Sequence, residues 1–313
     1  MSAPLRLGTR RSALALTQSR HVADAITASS GTPVELVHIT TEGDRSAAAI
    51  AQLGGTGVFV GALRDALRRG SVDLAVHSYK DLPTAGEDDL VIAAVPTRQD
   101  PRDALVARDG LTLGELPPGS TVGTGAPRRV AQLRALGLGL EVVPIRGNVD
   151  TRLGRVAGSA TGPGDLDAVV LARAGLSRLG RLSVITENLD PVQVLPAPAQ
   201  GALAVECRTS DARTRELLGR LEDSGTRCCA LAERTTLGTL EAGCSAPVAA
   251  YAEIAEGEHG PELFLRASVT AIDGSDGVRG SLSGPLDDAA ALGRMLAAEL
   301  LDRGAAELMA VGR

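Results

Sequence analysis

Aromatic residues and long apolar runs are scarce in this chain of 313 residues. It has no Trp, two Tyr and two Phe, so the core must be built from Leu, Val, Ala and Ile. No run of about 18 apolar residues occurs, which argues against a membrane-spanning helix. The first residues contain no long apolar segment either, and we therefore expect no signal peptide.

Lysine is scarcer still, because Lys80 is the only one among 32 Lys and Arg residues. This could be chance in an arginine-rich composition, or Lys80 could be kept because a compact cation is needed there. The net charge of −6 argues against a general nucleic-acid binder, which would present a basic face. Local clusters of Arg in an acidic protein instead indicate sites for small anions.

The four cysteines form no C-x-x-C pair, and with four scattered His they give no metal-binding pattern, so we expect no metal. Free thiols favour a cytoplasmic location. Cys207 lies in an apolar strand pattern, and Cys228 and Cys229 lie in a helical one. Cys244 lies in a Gly-Cys-Ser-Ala-Pro turn, where it is either a small turn residue or an accessible thiol open to modification.

Short apolar runs alternate with helical patterns twice, before and after Pro96, and a run of strands followed by a helix closes the chain. This alternation of strand and helix patterns is typical of βαβ units and predicts two α/β lobes with a smaller α+β domain. We predict a first domain of residues 1–97 and 197–217, a second of 98–196 and a third of 218–313. In two-lobed α/β proteins the ligand lies at the carboxyl ends of the strands, between the lobes.

Arginines recur where predicted strands end and helices begin. A cation at a helix N-terminus opposes the helix dipole, so the repeated placement suggests a bound anion, although solvated surface residues are the alternative. The residues are Arg10, Arg11, Arg128, Arg129, Arg146 and Arg152.

Asp81 follows another predicted strand, beside Lys80, and precedes Leu82-Pro83. A carboxylate among cations could stabilise a cationic intermediate or transfer a proton, or it could be a loop Asp making a local turn. The glycines at 54, 55 and 57 match neither dinucleotide-binding nor Walker patterns, so we expect no nucleotide site.

Taken together, these sequence strings resemble the porphobilinogen deaminase (hydroxymethylbilane synthase) family. The resemblance runs from about residue 5 to 254 and weakens beyond. It is carried by Gly8-Thr9-Arg10-Arg11-Ser12, His77-Ser78-Tyr79-Lys80-Asp81-Leu82-Pro83, Gly123-Thr124 with Arg128-Arg129, Arg146-Gly147-Asn148-Val149-Asp150-Thr151-Arg152-Leu153, Leu171 through Leu179, Gln200-Gly201-Ala202, and Glu241-Ala242-Gly243-Cys244.

The resemblance implies two lobes similar to type II periplasmic binding proteins and a third domain whose loop cysteine carries a covalent dipyrromethane. Cys244 would be that attachment point, and Asp81 the catalytic aspartate. The resemblance assigns cofactor binding to Lys80, Asp81, Thr124, Arg128, Arg129, Arg146 and Gly147. It assigns substrate binding to Arg10, Ser12, Phe59, Arg146, Arg152, Arg178 and Gln200.

The implied reaction deaminates porphobilinogen and joins four molecules head to tail onto the enzyme-bound dipyrromethane, after which water releases linear hydroxymethylbilane. Each pyrrole carries two carboxylates, which arginine forks can bind, and loss of ammonia leaves a cation that Asp81 can stabilise. We expect porphobilinogen as the small-molecule partner, a monomer, and neither nucleic acid nor membrane as partner. The alternative is a non-catalytic two-lobed protein that binds a small carboxylate, with Cys244 incidental.

The chain departs from the family at two places. Relatives commonly have lysines where this chain reads Gln52-Leu53-Gly54-Gly55-Thr56-Gly57, and Ser-Ser-Leu where it reads Gly125-Ala126-Pro127. The departures bear on loop closure and on part of cofactor binding. Phe59 stands where the family has an aromatic near the pyrroles, but it could equally be an ordinary core residue of a helix.

Overall fold

The computed structural model describes residues 3–39, 56–241, 246–258 and 260–310, without the side chains of residues 56–59. The chain divides into two compact units, one of residues 1–99 and 202–227 and the other of residues 100–201 and 228–313. The predicted boundaries of three domains stay a prediction. Cys244 and the side chain of Phe59 lie outside the described residues.

The first unit is built on a five-stranded sheet with the strand order β2-β1-β3-β10-β4. Strands β1, β2 and β3 run parallel, whereas β10 is antiparallel to β3 and β4. The strands are β1 (Leu5–Thr9), β2 (Val34–His38), β3 (Leu74–Ser78), β4 (Leu90–Ala94) and β10 (Leu203–Arg208), and the helices are α1 (Ala13–Ser30), α2 (Thr56–Arg68) and α6 (Ala212–Gly219).

The core of this unit follows from apolar alternation in the strands. Leu5 and Leu7 of β1 pack with Ile26 of α1 and Leu74 of β3, all of them buried. Burying one such side chain contributes about 1.5–3 kcal/mol. Gly31 caps the C-terminus of helix α1, and its φ of 68° is the left-handed conformation that glycine adopts without strain.

The second unit contains another five-stranded sheet, of order β7-β6-β8-β5-β9, and a three-stranded antiparallel sheet, β11-β12-β13. Its strands are β5 (Asp103–Ala107), β6 (Thr121–Thr124), β7 (Glu141–Pro144), β8 (Ala168–Ala172), β9 (Glu187–Asn188), β11 (Val248–Gly257), β12 (Gly260–Thr270) and β13 (Gly277–Pro285). Its helices are α3 (Pro127–Ala135), α4 (Val149–Leu153), α5 (Arg173–Arg178), α8 (Ala289–Asp302) and α9 (Ala305–Ala310), and it includes most of α7 (Ser224–Thr239).

The two five-stranded sheets share one topology. In each, three parallel strands are followed in the sheet by one antiparallel strand, β10 in the first unit and β5 in the second. The predicted fold class, two type II lobes and a smaller α+β part, is confirmed. The three-stranded sheet packs one apolar face on α8, through residues such as Leu263, Leu265 and Leu296.

Three elements were not predicted from the sequence: β9, α5 and α9. Strand β9 has two residues and α5 and α9 have six each, too short for a hydrophobic period to show. Of the described helices, none is long and apolar enough to cross a membrane.

Candidate active site

Parallel pairing of β1 and β3 brings two of the predicted strings to the same sheet edge. Arg10 follows the last residue of β1, and a 3-10 turn of Tyr79–Asp81 follows the last residue of β3. The Asp81 side chain is half-buried. Burial raises the pKa of Asp81, against the opposing charges of Lys80, Arg10 and His77, in that order. The structure therefore groups Asp81 with three basic side chains and disfavours its ionised form through burial.

A buried ion-pair network lies directly behind this turn. His77 Nε2 is 3.1 Å from Glu206 Oε2, and a terminal nitrogen of Arg64 is 2.9 Å from Glu206 Oε1. All three side chains are buried. Burial alone would raise the pKa of Glu206, but the hydrogen bond and charge of His77, followed by those of Arg64, hold it below its usual range. The network fixes the residue that begins the His77–Pro83 string.

Ser12 has a local role in this unit. Its hydroxyl accepts a hydrogen bond from the Ala15 amide at 3.3 Å and so caps the first turn of α1. Such a cap contributes about 1 kcal/mol to helix stability. Binding of substrate by Ser12 stays a prediction.

In the second unit, Arg128 and Arg129 in the first turn of α3 share the carboxylate of Asp103, which was not among the predicted site residues. Their terminal nitrogens lie 2.7 and 2.8 Å from the two oxygens of Asp103, the first residue of β5. The Gln200 amide donates to Asp103 Oδ1 at 2.7 Å, and its oxygen accepts from Arg129 at 3.4 Å. All four side chains are buried.

Asp103 therefore supplies from within the protein the negative charge that was predicted to come from a bound anion. Burial alone would raise the pKa of Asp103, but the charges of Arg128 and Arg129 and the hydrogen bonds from Arg129 and Gln200 hold it well below its usual range. The guanidiniums are not saturated, since Arg129 Nε is buried without a hydrogen-bond partner. The sequence did contain a sign of this role, because Asp103 is a charged residue at the start of an otherwise apolar strand.

Parallel pairing also aligns the ends of β6, β7 and β8, which precede the remaining strings. After β7, Gly147 has a φ of 106°, and a Cβ there would lie 2.8 Å from a methyl carbon of Thr151. Arg152 Nε donates to the Gly147 carbonyl at 2.9 Å, so this glycine shapes the loop that seats Arg152. Thr124, at the end of β6, is buried.

Gly125 is one of the positions at which the chain departs from the family, and the structure leaves no room for a side chain there. A Cβ on Gly125 would lie 2.6 Å from the Ile145 carbonyl oxygen and 3.6 Å from a terminal nitrogen of Arg152. Real side chains do not approach backbone that closely, so a larger residue would require the loop to shift. Pro127 occupies the first position of α3, where a missing amide hydrogen leaves no bond unmade.

Three other arginines differ from Arg128 and Arg129, because they have no carboxylate partner among the described residues. Arg146, Arg152 and Arg178 form no ion pair with any side chain in the described part of the chain. Burial lowers the pKa of Arg178 to about 10, and burial followed by the charge of Arg129 lowers the pKa of Arg152. Arg178 also donates to the Gly201 carbonyl at 2.7 Å, and Arg146 is exposed. Binding of an external anion by these three guanidiniums stays a prediction.

The described thiols are poor candidates for chemistry. Cys207 and Cys229 are buried and Cys228 is half-buried, and none of these three is in a disulfide. Burial raises the pKa of Cys207 to about 11, which keeps it protonated and inert. No group of His, Cys, Asp and Glu within the described ranges could hold a metal ion. Glu241, next to the segment that contains Cys244, has a left-handed φ of 49°.

Two family models match the chain. Residues 5–216 match the dipyromethane cofactor binding domain of porphobilinogen deaminase, and residues 227–302 match the C-terminal domain of the same enzyme. The chain belongs to the porphobilinogen deaminase family. The predicted resemblance is thereby confirmed, and it extends further towards the C-terminus than the motifs alone indicated.

Curated relatives named porphobilinogen deaminase match this family member over nearly its whole length. One from Nocardia farcinica is 60% identical over 98% of this chain and 88% of its own. One from Mycobacterium avium is 59% identical over 99% of this chain and 98% of its own. One from Mycobacterium tuberculosis strain H37Rv is 60% identical over 97% of this chain and 98% of its own.

Proposed function

We propose that the chain is a hydroxymethylbilane synthase, a transferase that deaminates four porphobilinogen molecules, joins them head to tail and releases linear hydroxymethylbilane. The observation that carries this function is the match to the family over both of its domains, at about 60% identity to relatives of that name. The arrangement of charges in the described residues supports it, since Asp81 faces basic groups and several arginines have no internal carboxylate partner.

Asp81 is assigned the catalytic role. Loss of ammonia from porphobilinogen leaves a positive charge spread over the pyrrole and its methylene carbon. A carboxylate fixed beside the pyrrole N–H stabilises that charge as it develops, and it does so more effectively in a partly dry site than in water. The raised pKa of Asp81 reflects this dryness, and the charges of Lys80, Arg10 and His77 oppose the rise by favouring the ionised carboxylate.

The arginines without internal counter-charges are assigned to the acid groups of the pyrroles. Arg152 and Arg178 are partly desolvated already, so a bidentate carboxylate gains strong, charge-assisted hydrogen bonds there. Arg146 is exposed at the same sheet edge and can reach a ligand from solvent. Arg10 and Ser12 are assigned to substrate on the first unit, and Phe59 is kept as a proposed aromatic contact.

Dipyrromethane is the family's cofactor, and the donor groups in the second unit fit it. The group supplies the free pyrrole carbon to which new units are joined. Arg129, whose buried Nε has no hydrogen-bond partner, would bind its acid side chains, together with Arg128 and Arg146. Cofactor binding by Lys80 stays a prediction. Thr124 and Gly147 shape the loops next to these residues, and Cys244 is the proposed covalent attachment point.

Intact mass spectrometry tests the cofactor assignment. Protein expressed with porphobilinogen available should carry an adduct equal to two linked pyrrole units, and the Cys244→Ala variant should carry none. Cys228→Ala is the matched control, since its free thiol is half-buried and should leave the adduct unchanged. A bare polypeptide mass for the unaltered chain would contradict the assignment.

A turnover assay separates the enzyme from the alternative, a non-catalytic protein that binds a small carboxylate. The purified chain should consume porphobilinogen and release ammonia and hydroxymethylbilane. Binding of porphobilinogen without turnover, in protein that was expressed with porphobilinogen available and still lacks the adduct, would favour the alternative. The predicted cytoplasmic location belongs to this proposal, and cell fractionation with an antibody against the chain would test it.

A further inference from the structure

In the segment of residues 195–201, Ala199 has a strained backbone conformation that a glycine would adopt without strain. Ala199 is fully buried and has a φ of 59°, in the left-handed region. An alanine there is strained by contact between its Cβ and the backbone, and such a conformation persists only when neighbouring groups hold it. Ala199 must therefore be held by a neighbouring group in the second unit.

Glu233 of α7 is that group. One of its carboxylate oxygens accepts the Ala199 amide at 2.5 Å, and the other accepts the Ala252 amide of β11 at 2.8 Å. Glu233 is fully buried, so these hydrogen bonds are made in a dry environment, where each is strong and costly to lose. The carboxylate thereby ties the segment to a helix and to a strand at once.

Gln200 follows Ala199 directly, so the φ angle of Ala199 sets the direction in which Gln200 leaves. The Gln200 amide nitrogen donates to the Pro101 carbonyl at 2.7 Å and to Asp103 at 2.7 Å. Its backbone amide closes a turn onto the Ala197 carbonyl at 2.9 Å. If the backbone of Ala199 relaxed towards the ordinary right-handed region, the Gln200 side chain would lose its hydrogen bonds with Asp103 and Arg129.

We propose that Glu233 is a positioning residue for Gln200. By holding Ala199 in the left-handed conformation, it keeps the Gln200 amide against Asp103 and so orients the guanidinium of Arg129. The inference rests on the proposed function for its effect on turnover. The structural part, that Glu233 maintains the conformation of residues 195–201, is independent of activity.

Steady-state kinetics on the holoenzyme test the effect. In Glu233→Gln the side chain offers one acceptor oxygen for two amides, so we expect kcat/KM for porphobilinogen to fall about tenfold, the loss typical of one buried hydrogen bond. Adding Ala199→Gly should restore most of the activity, because glycine adopts the left-handed conformation unaided. The control is Thr236→Val, one turn further along α7, whose buried hydroxyl donates to the Ala232 carbonyl of the same helix.

A double-mutant cycle separates positioning from a general loss of stability. In a Gln200→Ala background, Glu233→Gln should change kcat/KM by less than about twofold, because the residue it acts through is already gone. An equal fall in both backgrounds, or no rescue by Ala199→Gly, would overturn the proposal. If Glu233→Gln does not fold, Glu233→Asp keeps the charge, withdraws the carboxylate by one methylene, and should show the same pattern.

Hydrogen exchange gives a readout that needs no activity. Peptides covering residues 195–201 should exchange faster in Glu233→Gln than in the unaltered chain and in Thr236→Val, and Ala199→Gly should reverse part of the change. Unchanged exchange would refute the anchoring by Glu233 even if turnover is confirmed. Faster exchange in a protein without turnover would leave the anchoring supported and refute the proposed function.

Discussion

Replacing Asp103 by asparagine removes the carboxylate that the guanidiniums of Arg128 and Arg129 both contact. Asparagine keeps the shape of the side chain, but its amide group turns a donor towards donors and leaves two buried positive charges uncompensated. Removing one partner of a buried ion pair costs about 3–5 kcal/mol. Because Asp103 is fully buried and pairs at 2.7 and 2.8 Å, we expect a destabilisation of that size.

Urea denaturation followed by far-ultraviolet circular dichroism measures this loss, with Asp165→Asn as the control. Asp165 pairs with Arg155 at the exposed surface, where an ion pair contributes little, so its replacement should leave the midpoint unchanged. The experiment compares midpoints, since a chain of several domains need not unfold in one step. An Asp103→Asn midpoint equal to that of the unaltered chain would refute the reasoning.

The pH dependence of the free energy of unfolding provides a second test of the stabilising charge on Asp103. Folding lowers its pKa, so its stabilisation is complete above the ordinary aspartate pKa of 3.8 and is lost as the pH falls through the lower, folded value. The stability difference between the unaltered chain and Asp103→Asn should therefore stay constant from neutral pH down to about 5 and narrow only below that. A difference that vanishes at neutral pH would contradict the role of the charge.

Three further predictions concern individual site residues. Asp81→Asn should lower kcat by about 10²–10³-fold, as loss of electrostatic stabilisation does. It should not lower the melting temperature, because a carboxyl whose pKa rises on folding opposes folding when ionised; a less stable variant would contradict the burial argument. Arg178→Gln should raise KM for porphobilinogen by about tenfold, since the guanidinium is desolvated and lacks an ion-pair partner within the described residues; unchanged KM would remove it from the site. Lys80→Arg should lower kcat/KM, because the planar fork does not replace a compact ammonium, and full activity in the same turnover assay would show that any cation suffices.

Local patterns in the sequence were enough to predict most of the fold. Short apolar runs located strands such as β1 and β3, and helical spacing located α1 and α8, because these signals depend on residues a few positions apart. Glycine and proline marked the turns. The two-residue β9 and the six-residue α5 carried no such period, and the direction of the antiparallel strands β5 and β10 depends on pairing that local spacing does not encode.

The sequence also showed the polar segments that contain the candidate site residues, since Arg10, Asp81 and Arg146 each follow the end of a strand. Their roles, like those of the other predicted site residues, stay predictions here. What could be anticipated was their convergence at a sheet edge within each unit, because parallel strands align their carboxyl ends. The lone Lys80 was conspicuous by composition alone, and the structure places its charge next to Asp81.

The sequence by itself determined the family, the order of the elements and the residue types of the candidate site. Only the tertiary structure decided which charges are already balanced. Glu206 pairs with His77 and Arg64 across 129 and 142 positions of the chain, and Asp103 pairs with Arg129 across 26. Ion pairs depend on distance and burial in space, which no local pattern records. For that reason Arg128 and Arg129 looked equivalent to Arg146 in the sequence, although among the described residues only the first two have an internal carboxylate.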